Sequence, residues 1–211
     1  MPPLAYALVT VAEAKAFIAP DGMAGTYDQL LEVVINRATD MIEQEYCNRP
    51  LKARTYTNLR LRGQERCELF LRATPIDPAQ PITVTVNGVA QTVWRTEADG
   101  DPASKDVILG RSCDDLIFTP DHLYRRVGWG GYSGNPYNVL LGYTGGFATV
   151  PNDLAEATLE IVKKLFNEMK AGTQDLAAVT LPSGSFTVFD ATLPRRAREL
   201  LERYVRTAAI A

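Results

Sequence analysis

The chain has 211 residues, 46% of them hydrophobic and 22% charged, with 22 Lys and Arg against 25 Asp and Glu for a net charge of -3. That balance belongs to an ordinary globular protein of one domain, or one with a large insertion, and excludes wholesale disorder and a uniformly basic nucleic-acid coat. No apolar run reaches the roughly 18 residues that span a bilayer, and residues 1–11 lack the basic start of a secretory leader, so the expectation is cytoplasmic synthesis and no membrane.

Thr10 and Glu13 stand at capping-box spacing and predict a short helix to about Ile18, which Pro20, Asp21 and Gly22 end. A longer helix is predicted over residues 27–46. Its apolar positions Tyr27, Leu30, Leu31, Val34, Ile35, Ala38, Met41, Ile42 and Tyr46 recur in steps of three and four and form one stripe. The period then changes. Ile82, Val84 and Val86 alternate with Thr83, Thr85 and Asn87, Asn87 and Gly88 supply a tight turn, and residues 89–94 return, which is a hairpin. Further strands are predicted over 68–72, 106–109, 116–119, 124–129 and 138–143, punctuated by Pro75, Pro78, Pro81, Gly100, Pro102 and Pro120.

Helix returns after Pro151, with Leu154, Ala157, Ile161, Leu165 and Met169 inward and Lys163, Lys164, Glu168 and Lys170 outward, until Gly172. A turn near 181–186 leads to a short strand over 186–189. Pro194 opens a last helix with the stripe Ala197, Leu200, Leu201, Tyr204, Val205 and Ala208. The expected fold is α+β: a helical body from residues 1–52 and 144–211, and a mostly antiparallel β module inserted at 53–143. The helices of 27–46 and 152–170 should pack together. Their broad apolar faces suggest a surplus shared between neighbouring copies.

The chemistry is sparse. Cys47, Cys67 and Cys113 are odd in number and widely spaced, which reads as reduced and mostly buried thiols. The one histidine, His122, follows Pro120 and Asp121 and reads as a surface or turn residue; alone it supports no His-rich metal site. The run from Gly128 to Gly134 fails as a phosphate loop because Ser133 stands where the third glycine is required. It reads instead as a flexible hairpin tip displaying Trp129 and Tyr132, with Tyr137 nearby. Asp114 and Asp115 are adjacent and would point to opposite faces of a strand. Glu97, Asp99, Asp101 and Asp106 do not have calcium-loop spacing. With the nearby aromatics Trp94 and Trp129, they are the one motive for a small hydrolase. Exposed aromatics at Trp129, Tyr132 and Tyr137 are the motive for a carbohydrate- or protein-binding module. No catalytic residue, cofactor or metal ligand is assigned.

Charge is uneven. Residues 51–72 carry Lys52, Arg54, Arg60, Arg62, Arg66 and Arg72 against Glu65 and Glu68, and residues 194–211 carry Arg195, Arg196, Arg198, Arg203 and Arg206 against Glu199 and Glu202. Arginine-rich patches suit bidentate pairing with acidic protein surfaces or glancing contact with DNA phosphates.

Several stretches together resemble the head–tail connector, or adaptor, proteins of tailed bacteriophages. They are VTVAEAKAFI at 9–18, IEQEY at 42–46 with Asn48 and Arg49, GYTGGF at 142–147 followed by VPNDLAEA at 150–157, and GSFTVF at 184–189 with Leu193, Pro194, Leu200, Leu201 and Tyr204. The resemblance covers both ends of the chain and little of residues 53–141. It implies a non-enzymatic virion protein made in the host bacterial cytoplasm. It further implies a homo-oligomeric ring, commonly of twelve copies, that sits below the portal, meets a tail or stopper protein and lets DNA pass without sequence-specific binding. The interface expectations are Arg195, Arg196, Arg198, Tyr204 and Val205 for docking on the portal, and Trp129 and Tyr132 at the tip of the β module.

Overall fold

A computed structural model describes residues 5–63, 66–110, 121–130, 137–171, 178–181, 184–187 and 193–205, with the backbone alone described for 178–181 and 184–187. The fold is α+β, with helices in the N- and C-terminal regions and antiparallel-dominated sheets between. The chain divides into two compact units, residues 1–48 with 150–211, and residues 49–149.

The first unit is helical. Helix α1 (Val11–Ile18) begins with the predicted capping box: Thr10 Oγ1 accepts from the Glu13 backbone N–H at 3.2 Å, and the Glu13 carboxylate accepts from the Thr10 N–H at 2.7 Å. Helix α2 (Asp28–Asp40) follows, but the predicted 27–46 helix is not uniform. Its last six residues, Met41–Tyr46, widen into a π-turn closed by the Cys47 N–H donating to the Ile42 carbonyl at 2.8 Å. The wider turn brings both Ile42 and Glu43 to full burial, which the 3.6-residue period does not anticipate.

Helix α3 (Asn152–Ala171) packs on α2, and Tyr27 meets Phe166 edge to face at 5.6 Å. Leu31, Val34, Ile35, Ala38 and Ile42 are fully buried in the single chain. The apolar surplus expected to await a neighbouring copy is thus already taken up at these positions. The exposed apolar residue of α2 is Val33, off the stripe. Two buried hydroxyls are satisfied within the unit: Thr39 Oγ1 accepts from the Leu8 N–H at 3.4 Å, tying the N-terminal segment to α2, and Thr158 Oγ1 donates to the Leu154 carbonyl one turn back in α3 at 2.7 Å. Strands β9 (Ala178–Leu181) and β10 (Gly184–Thr187) form an antiparallel hairpin where a turn and a strand at 186–189 were expected; Gly172 lies outside the described residues. Helix α4 (Arg195–Leu201) starts after Pro194, continues as a 3-10 turn over Glu202–Tyr204 and packs on α3.

The second unit holds two four-stranded sheets. The strands are β1 (Arg54–Leu61), β2 (Glu68–Phe70), β3 (Thr83–Val86), β4 (Val89–Gln91), β5 (Val93–Trp94), β6 (Val107–Leu109), β7 (His122–Tyr124) and β8 (Val139–Gly145). One sheet has the order β1-β8-β3-β4 and the other β2-β7-β6-β5. A single cluster draws Val84, Val86, Val139, Leu141 and Tyr143 from the first and Val107, Leu109 and Leu123 from the second. The strand predicted over 89–94 breaks at Thr92, where the chain leaves one sheet for the other. Asp106 Oδ2 accepts from the Thr92 N–H at 2.8 Å and its hydroxyl at 2.7 Å, which holds the corner and sets β5 parallel to β6. The β1-to-β2 corner passes Gly63, where a Cβ would collide with the Trp129 carbonyl and the Asn138 amide. The strand predicted at 116–119 lies outside the described residues.

On its outer face the second sheet carries Trp94, Tyr124 and His122, all buried, and the loop after β5 covers part of it through the Trp94 Nε1–H bond to the Gly100 carbonyl at 2.9 Å. The outer face of the first sheet is open. Arg60, Leu140, Thr85 and Ala90 form a row across its four strands, and Thr55 and Thr144 pair through their hydroxyls at 3.0 Å.

Candidate docking surfaces

The C-terminal segment is amphipathic. Ala197, Leu201 and Tyr204 point inward and are buried, so the arginines between them face out. Asp153, in the first turn of α3, holds the end of the segment: its Oδ1 accepts from the Tyr204 hydroxyl at 2.7 Å, and its Oδ2 lies 2.9 Å from the Arg203 guanidinium. A carboxylate at a helix N-terminus is also favoured by the helix dipole. Arg196 pairs with Glu156 on α3, and Arg195 with Glu199 one turn along its own helix at 2.9 Å. The Tyr46 hydroxyl donates to the Arg198 carbonyl at 3.4 Å. Burial, and after it the nearby Glu202, push the Tyr46 phenol up, against a smaller opposing effect of Arg198.

Of the five docking residues expected here, Tyr204 is buried and hydrogen-bonded within the unit, whereas Arg195, Arg196, Arg198 and Val205 present exposed side chains, Arg195 paired with Glu199 and Arg196 with Glu156. The ties at Asp153 and Glu156 are long-range in sequence, and no local pattern announces them.

Trp129 corrects the reading of an exposed aromatic tip. It is 0% exposed and belongs to the core of the β unit. Its Nε1–H donates to the Cys67 carbonyl at 2.8 Å, its backbone N–H to the Arg66 carbonyl at 3.2 Å, and its own carbonyl accepts from Asn138 Nδ2 at 2.9 Å. The flanking glycines are turn residues, with φ of +70° at Gly128 and +43° at Gly130, and they steer the ring inward. Tyr132 lies outside the described residues; Val127 and Tyr137, on either side of that stretch, are exposed. The usable signal was chemical: an indole is a large apolar group with one donor, and it gains most from a buried place with one acceptor.

His122 is likewise no surface residue. It sits in β7, 6% exposed, with Nδ1 2.7 Å from Asp121 Oδ1 and the Phe70 ring 5.3 Å away. Strand pairing with Phe70 pulls it out of the turn that Pro120 and Asp121 suggested. Cys47 is buried and Cys67 half-buried; Cys113 lies outside the described residues.

The acidic loop is an architectural device. The Asp99 carboxylate accepts from Arg95 Nη2 at 3.0 Å and from the Arg95 backbone N–H at 2.8 Å, which holds its pKa down to about 2. Asp101 caps the 3-10 turn Pro102–Ser104 by accepting from the Ala103 N–H at 2.8 Å. Thr92 hydrogen bonds also lower the Asp106 carboxyl. A general acid needs the opposite shift. Among the described residues, no group of three or more His, Cys, Asp or Glu is placed to hold a metal ion, and no helix is long and apolar enough to cross a membrane.

In the 51–72 basic stretch, Arg54 is half-buried, whereas Arg60, Arg62, Arg66 and Arg72 are exposed. Arg60 lies on the open outer face of the first sheet, where the register rows carry threonines, Leu140 and Ala90 and no carboxylate.

No protein-family model and no curated protein matches the chain. Solved structures do. One is from the neck of an empty GTA particle computed with C6 symmetry, with a TM-score of 0.52 and 16% identity over 97% of this chain and 92% of that one. Another is from the virion of a native gene transfer agent (GTA) particle, with a TM-score of 0.52 and 18% identity over the same shares of the two chains. The chain shares its fold with these particle proteins. Coverage this complete places the β unit inside the common fold, although it carries little of the sequence resemblance seen at the chain ends.

Proposed function

We propose that this protein is a structural component of a phage-like virion, a head–tail connector whose copies form a ring below the portal, join the DNA-filled head to the tail and let DNA pass. The observation that carries this reading is the fold held in common with a chain from a C6-symmetric particle neck. The connector-like stretches at both chain ends support it from the sequence side. Twelve copies fit both the family resemblance and a six-fold axis.

In this reading Arg195, Arg198 and Val205 form the face offered to the portal, and Arg196 and Tyr204 hold that face on the body through α3. Trp129 acts from inside the β unit, and Tyr132, three residues on in sequence, is the residue offered to a tail or stopper protein. A net charge of -3 suits a channel that DNA slides through without sticking. The task is geometric, so no substrate, cofactor or metal enters it.

Electron microscopy of assembled particles, with mass measurement of the purified protein alone and mixed with its portal, tests the proposal. A ring of copies between portal and tail is the expected result. A chain that stays monomeric with portal present and never enters particles overturns it.

A further inference from the structure

Two surfaces of this chain are unmatched in complementary ways. One is the open outer face of the first sheet, with Arg60, Leu140 and Ala90 in one row and Arg62 exposed two residues beyond Arg60. Neither Arg60 nor Arg62 has an ion-pair partner among the described residues. The other is on the helical unit. Residues 1–48 carry seven acidic side chains against two basic ones. Glu13 is engaged in a cap and Asp28 in an ion pair with Lys15, but Asp40 and Glu45 are exposed and have no ion-pair partner among the described residues. They lie at the C-terminal end of α2 and its π-turn, where the helix dipole adds negative potential. Val33, 43% exposed, lies on the same side of α2 as Asp40, two turns earlier, with exposed Arg37 between them.

The two surfaces also agree in reach. From Val33 to the Asp40 and Glu45 end of the helix is about 10–18 Å at 1.5 Å per residue. From Arg60 to Ala90 is three strand spacings, about 14 Å. The helical surface is net acidic at its Asp40 and Glu45 end, where exposed Arg37 offsets one of the two charges, and apolar at Val33; the sheet surface is basic at Arg60 and Arg62 and apolar at Leu140 and Ala90.

We propose that the exposed stripe of α2 in one copy seats on the outer face of the first sheet in the next copy, with Asp40 and Glu45 against Arg60 and Arg62 and Val33 against Leu140 and Ala90. This rests on the ring reading above and assigns its subunit contact. Two different patches of one chain meeting head to tail generate a closed ring when the rotation closes. DNA is the weaker occupant, because phosphates would leave Val33, Leu140, Asp40 and Glu45 unanswered.

The test is charge reversal. Arg60→Glu with Arg62→Glu should weaken ring assembly on the order of tenfold, as should Asp40→Lys with Glu45→Lys, and the four changes together should restore it. Ring mass in solution and ring occupancy in particles are the readouts. Restoration by the combined variant also shows that the separate variants were folded. Rings that form equally well in every variant overturn this contact and leave the ring reading standing. Loss of DNA retention in Arg60→Glu with Arg62→Glu, with assembly unchanged, overturns it in favour of a nucleic-acid face. Absence of rings from the unaltered protein and from particles overturns the ring reading itself.

Discussion

Asn138 serves three backbone groups with one buried amide. Its Oδ1 accepts from the Gly63 N–H at 2.7 Å, and its Nδ2 donates to the carbonyls of Trp129, at 2.9 Å, and Gly130. Asn138→Ala leaves those groups without partners inside the unit and should cost about 1–3 kcal/mol, read as a lower denaturant midpoint with an unchanged slope. Asp99 gives a residue-scale prediction in pH. Its folded pKa, about 2, lies below the ordinary 3.8, chiefly because the Arg95 side chain donates to it. A depressed carboxylate adds stability that is complete above the unfolded value and fades as pH falls through the folded one. Wild type should therefore lose this contribution between about pH 4 and pH 2. Asp99→Asn should be less stable than wild type at pH 6, with the difference shrinking toward pH 2, as thermal unfolding followed across that range would record.

At the scale of elements, α4 is short and depends on what it buries. Seven helical residues are too few to be stable alone, so Ala197, Leu201 and Tyr204 against α3 must supply the ordering energy. Leu201→Ala should cost roughly 2–5 kcal/mol. It should also raise hydrogen exchange in residues 195–204, because the segment is then held by the Tyr204–Asp153 hydrogen bond and by ion pairs to Asp153 and Glu156 whose arginines are solvent-exposed and which add little strength. The contrast in legibility follows from the same physics. The α1 cap, the α2 and α3 stripes and the hairpin at Asn87 and Gly88 are written in neighbouring residues, where period and turn chemistry decide the outcome. The sheet change at Thr92 depends on Asp106, fourteen residues away, and the burial of Trp129 on Cys67, sixty-two residues away. His122 is decided by Phe70 across a strand pair. Local pattern has no access to such partners, so it left two buried rings on the surface and took a set of turn anchors for a possible acid site.

For the whole molecule, charge is divided between regions more sharply than the net value suggests. Residues 1–48 are strongly acidic, whereas the exposed arginines of residues 60–72 lie in the β unit. If neighbouring copies meet through Asp40 and Glu45 against Arg60 and Arg62, their attraction acts between solvent-exposed groups and is screened by salt. The Debye length falls from about 10 Å at 0.1 M to about 3 Å at 1 M. Ring assembly should therefore weaken as salt rises through that range. It should not vanish, because the contact of Val33 with Leu140 and Ala90 is apolar and is strengthened, if anything, by salts excluded from protein surfaces. Sedimentation of the unaltered protein in sodium chloride and in sodium sulfate at equal ionic strength separates the two contributions. Loss of rings in both salts to the same degree marks a purely electrostatic contact, and better retention in sulfate marks the apolar share. A ring indifferent to salt would mean that the subunits meet elsewhere, through surfaces whose charges are already paired within one copy.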